Sequence, residues 1–156
     1  MRFILLCIPA LVACDPGCDA AKALSSGQVV GEIDGVAWES AGVTWHSEAS
    51  GVQVNSPLTD GWRLTLVAQT TVDDRSAPTR VDRRRLPVEV LLQSGEGGWA
   101  LLNDAGAFTW STHQAEGGWL RLARRRGGDL LGCYDFEAGA AAGEVAAHGA
   151  FRAAPR

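Results

Sequence analysis

An all-β domain, built as an antiparallel β-sandwich or a partly closed β-barrel of roughly ten short strands, is the fold this sequence predicts. Three observations lead there. Apolar residues alternate with polar ones along several short segments, the period of a strand with one buried and one wet face. Those segments are separated by Gly, Asp and Asn dipeptides of the kind that close hairpins. No segment carries an apolar stripe long enough for a well-packed helix.

The clearest alternation is Trp62–Gln69, where Trp62, Leu64, Leu66 and Ala68 share one face and Arg63, Thr65 and Gln69 the other. Leu86, Val88, Val90 and Leu92 alternate with Pro87, Glu89, Leu91 and Gln93, and Val52 and Val54 with Gln53 and Asn55. Nearer the C-terminus, Tyr134 and Phe136 share a face, as do Val145, Ala147 and Phe151. Asp34-Gly35, between Ile33 and Val36, is the strongest hairpin signal. Asn103-Asp104-Ala105-Gly106 and Arg126-Gly127-Gly128-Asp129 mark two further turns. A Gly-Trp phrase recurs at Asp60-Gly61-Trp62, Glu96-Gly97-Gly98-Trp99 and Glu116-Gly117-Gly118-Trp119, and reads as a way of entering a strand after a tight turn. The period breaks at Asp73–Arg85, a charged stretch with Pro78 that reads as a long exposed loop. Ala138–Gly143 is Ala-rich and short; its glycines weigh against a helix.

Ahead of the strands, Arg2 followed by the apolar run Phe3–Val12 has the form of an export signal. The run is too short to span a bilayer, and Pro9 interrupts it. Its ending, Leu11-Val12-Ala13-Cys14, resembles the bacterial lipobox, whose cysteine is lipidated (typically with palmitate among its acyl chains) and becomes the new N-terminus. The other reading of this stretch is a buried N-terminal strand. The resemblance implies a signal peptide over residues 1–13, a lipid-anchored tether over 14–27 and a single β domain over 28–153. A 13-residue leader taken from 156 leaves 143, ample for one core. Asp19 is placed to cap one helical turn within the tether.

The mature chain carries 13 basic and 18 acidic side chains, a formal −5, which does not favour nucleic acid as a partner. Arg83-Arg84-Arg85 and Arg124-Arg125-Arg126 sit among acidic residues and read as solvated loop and turn. Outside the cytoplasm, Cys18 and Cys133 are free to pair, closing a loop of 115 residues; the alternative leaves Cys133 as a small buried residue and Cys18 as a free thiol. Cys133 shares its strand face with Leu131 and Asp135, opposite Tyr134 and Phe136, which places it away from the main core.

Six tryptophans are many for such a domain. Trp62 belongs to the core by alternation. Trp45, Trp110 and Trp119 are the candidates for an exposed stacking surface, Trp119 first because it shares a face with Arg121. His46 and Glu48 project from one strand face but lack a third ligand, and His148 alternates away from the apolar face, so neither a metal nor a cofactor site is expected. The chain has no nucleophile elbow, phosphate loop, dinucleotide fingerprint or zinc-protease motif, so no catalytic residue is assigned.

Gly31-x-Ile33-Asp34-Gly35-Val36-Ala37-Trp38, with Leu131-Gly132-Cys133-Tyr134-Asp135-Phe136 and Gly149-Ala150-Phe151, resembles small bacterial lipoproteins of unknown function. Those share an opening Asp-Gly-x-x-Trp hairpin and a closing aromatic strand pair. The resemblance implies an all-β envelope domain and no activity. The expected protein is therefore non-catalytic, anchored in a membrane of the bacterial cell envelope through Cys14 and facing the periplasm or exterior. Its role is binding or structural, with an envelope protein or glycan as partner; the alternatives are a carbohydrate- or small-ligand-binding module using exposed Trp, then an envelope enzyme assembled from distant residues.

Overall fold

The computed structural model describes residues 18–48, 51–69, 86–93, 97–105, 110–140 and 143–156. The turns set its frame. Asp34 and Gly35 take φ of +53° and +76°, and join β1 (Gln28–Ile33) to β2 (Val36–Ala41) with Ile33 opposite Val36. Positive φ at both central residues gives the turn a twist that matches its strands, which is why Asp-Gly serves. Asp60 and Gly61, at +50° and +82°, repeat the device between Thr59 and Trp62. Gly127-Gly128 joins β8 (Trp110–Arg126) to β9 (Asp129–Ala140), with Arg126 facing Asp129.

The remaining strands are β3 (Thr44–Glu48), β4 (Gly51–Asn55), β5 (Trp62–Ala68), β6 (Val88–Leu91), β7 (Gly98–Ala105) and β10 (Gly143–Pro155). All ten belong to one sheet, in the order β2-β1-β10-β3-β4-β5-β7-β8-β6, with β9 pairing both β8 and β10. The pairings therefore run round a ring of seven strands, from β10 through β3, β4, β5, β7, β8 and β9 back to β10. Every pairing of named strands is antiparallel except β3 with β10, parallel over Ala154↔Thr44 and Pro155↔Trp45. The fold is all-β, and its single part-ring sheet departs from two stacked sheets.

Alternation sorts the core. Leu64, Leu66, Leu102, Leu120, Tyr134 and Phe151 are almost wholly buried on the inner face. Leu86, Val88 and Val90 pack against them while Leu91 on the opposite face is exposed. Trp62 is half-buried at the margin, its ring 5.8 Å from that of buried His113. The Ala-rich stretch is strand up to Ala140, and β10 resumes at Gly143. Glu116-Gly117-Gly118-Trp119 begins no strand. It lies inside β8, where the register shifts between Ala115 and Gly117. The stretch 73–85, with its Arg run, and residues 1–17, with the leader and Cys14, lie outside the described residues.

A second, smaller cluster lies on the outer face and takes in residues from Cys18 onward. Cys18, Ala21 and Leu24 are buried against Leu131, Cys133 and Ala150, with Val30, Trp119 and Ala123 packed around them. The segment forms one helical turn, α1 (Ala20–Ala23), after Asp19. Asp19 pairs with Lys22 and makes no side-chain cap bond. Cys18 and Cys133 form a disulfide with Cα atoms 5.5 Å apart. The bond that the sequence allows is present, and it folds the chain from Cys18 onward against the sheet.

A polar clasp holds the same segment farther along. Asp129 accepts hydrogen bonds from Ser26 Oγ at 2.8 Å and from Arg152 Nε at 2.7 Å, and Arg152 Nη1 donates to the Leu24 carbonyl at 3.1 Å. Asp129→Ala strands a largely buried guanidinium and is expected to cost about 2 kcal/mol in urea unfolding. Faster proteolysis within residues 18–27 should accompany that loss.

Candidate functional site

The hairpin β1–β2 extends the sheet beyond β10 and carries the outer face with it. In register, Glu39, Val30, Ala150 and Cys133 form one row across β2, β1, β10 and β9. Ala37, Glu32, His148 and Asp135 form the next. Gly31 and Gly149 pair between the rows and line the groove with backbone alone. Above this floor opens a groove of about 800 Å³. Cys18, Asp19 and Ala20 join its lining from the N-terminal segment. Asp60 joins from the turn that Trp38 holds by donating from Nε1 to the Thr59 carbonyl at 3.0 Å.

The floor is carbon and sulfur: Val30, Ala150 and the disulfide. The lining also holds four carboxylates, those of Asp19, Glu32, Glu39 and Asp60, and among the described residues no Lys or Arg. Lys22 stands outside the lining and pairs with Asp19. His148 Nε2 lies 3.6 Å from Glu32 Oε2, an ion pair when the imidazole is protonated. The arrangement suits a body that is apolar on one side and positively charged on the other. Among the described residues, no group of three His, Cys, Asp or Glu is placed to hold a metal ion.

The tryptophan candidates fare differently. Trp45 is 7% exposed, its Nε1 donates to the Gly128 carbonyl at 3.0 Å, and the Arg125 guanidinium lies 4.8 Å from its ring centre. With its donor used and its ring buried, Trp45 has no stacking surface to offer, contrary to expectation. Trp119 is half-buried against the outer cluster around Cys18 and is not the open ring expected of it. The Trp110 side chain, like that of Glu48, lies outside the described residues. The structure brings together Cys18 and Cys133, and the candidate site is at their side.

Sequence reasoning passed over Glu32, Glu39, Asp60 and Val30. Alternation around Asp34-Gly35 already put Val30 and Glu32 on one face and Glu39 opposite Val30. The missing fact was that β1 lies beside β10, a pairing of residues more than a hundred positions apart. Comparison of the chain with protein-family models, with curated proteins and with solved structures finds no match.

Proposed function

We propose that this chain is a lipid-anchored protein of the bacterial envelope, held by Cys14, which works by binding a small ligand in the outer-face groove. The groove carries the reading. Its volume falls within the roughly 300–1,000 Å³ of small-molecule sites, and Cys18, four residues beyond the lipobox cysteine, is part of its lining. The leader supports the address, and so does a disulfide, a bond that persists in oxidising compartments. Binding through exposed tryptophan loses its support with Trp45 and Trp119.

Cells fed labelled palmitate should yield labelled wild-type protein in the membrane fraction. Cys14→Ser should accumulate as unprocessed precursor without label, since serine has no thiol to take the lipid. Label retained on the Ser variant, or absent from the wild type, overturns the anchor.

A further inference from the structure

We propose that the groove's ligand is a small amine: an apolar body carrying a permanent or protonated nitrogen. The inference rests on the binding reading above and supplies the ligand's chemical class. Two features of one surface carry it. The floor of Val30, Ala150 and the Cys18–Cys133 bridge offers carbon and sulfur to a flat or aliphatic body. The carboxylates of Glu32, Glu39, Asp60 and Asp19 stand around it; Lys22 answers Asp19, and His148 answers Glu32 when protonated.

An anion meets repulsion from this lining. A neutral apolar molecule gains the floor and leaves the carboxylates as they were in water. A cation gains both. Each such pairing contributes less than about 1 kcal/mol at an exposed site, so two or three acting together shift affinity by about tenfold. The space is that of a small molecule rather than of a folded partner, whose interface spreads over a much larger area.

Three fluorescent probes that differ only at the chain end decide the matter. Dansylcadaverine ends in an amine, dansylaminopentanol in a hydroxyl and dansylaminopentanoate in a carboxylate. They are titrated into a chain expressed without residues 1–13 and carrying Cys14→Ser, so that neither leader nor acyl chain competes, with the Cys18–Cys133 bond oxidised, and read by emission shift and anisotropy at low salt. The amine is expected to bind about tenfold more tightly than the alcohol, and the carboxylate most weakly. The double variant Glu32→Gln/Glu39→Gln should bring amine and alcohol to within about twofold of each other. Ala37→Trp, at an exposed position of β2, should weaken both by crowding the groove.

Equal binding of amine and alcohol to the wild type overturns the amine proposal and leaves the binding reading standing. Amine binding untouched by Ala37→Trp places the probe elsewhere and overturns the proposal too. If no probe binds a chain whose near-ultraviolet circular dichroism is folded, the proposal and the binding reading both fall. A dimer that forms with concentration and is lost in Ala37→Trp assigns the groove to a second copy, which also overturns the proposal.

Discussion

Replacing Cys18 and Cys133 together by alanine is expected to lower the melting temperature by about 10–15 °C. The bridge spans 115 residues of sequence, and in the chain-entropy account so long a loop contributes about 4–5 kcal/mol, near the top of the usual range. The remaining contacts moderate the loss. Ala21 and Leu24 still cover Leu131 and Ala150, and the Asp129–Arg152 clasp still holds Ser26. The variant is therefore expected to fold, with the sheet intact and its N-terminal segment more easily cut. Calorimetry of the oxidised wild type, the reduced wild type and the double variant checks this. A fall of less than about 3 °C would show that packing alone fixes the segment.

A second effect, confined to one seam of the sheet, is expected at Gly149. A Cβ there meets the Val30 carbonyl oxygen, the Gly31 Cα at 2.9 Å and the Tyr134 hydroxyl at 2.8 Å. Two of these neighbours are backbone of the adjoining strand and cannot move without parting β1 from β10. Tyr134 faces Gly149 in register, and its hydroxyl stands where that Cβ would go. Gly149→Ala should cost about 3 kcal/mol or more, the upper range for overpacking. Gly117→Ala is the control, since a Cβ there meets nothing within 4 Å and Gly117 has no positive φ. Urea unfolding of the two variants should differ by at least about 2 kcal/mol. Equal curves would mean that the β1–β10 seam has slack.

Strand identity was legible because burial of one face writes itself into the sequence every second residue. Leu64, Leu66, Val52, Val54, Tyr134 and Phe136 are all buried where alternation puts them. Asp34-Gly35 and Gly127-Gly128 were legible for another local reason, that few residues adopt the backbone such turns require. The buried spacing Cys18, Ala21, Leu24 was not read as a docked helical turn, because two of the three are small and a single turn leaves little pattern. Trp45 shows the reverse failure. Nothing local announces that Gly128, 83 residues on, will accept its indole hydrogen. The groove shares that cause, for its rows are assembled by pairings between distant strands, and alternation says which way a side chain faces but not beside what.

The Cys18–Cys133 bond also decides where a mechanical load enters the molecule. Any traction arriving through the residues before Cys18 meets the disulfide first, ahead of α1 and well ahead of β1. It is handed to the middle of β9, a strand hydrogen-bonded along most of its length to β8 on one side and β10 on the other. A strand at an edge can be peeled away one bond after another. One gripped from both sides yields only when many bonds break together. The covalent shortcut leaves residues 19–27 unloaded and keeps the outer strand pair β1–β2 off the line of force. A pull on the front of the chain thus enters the sheet through the floor of the groove, and the β1–β2 hairpin beside it carries none of the load.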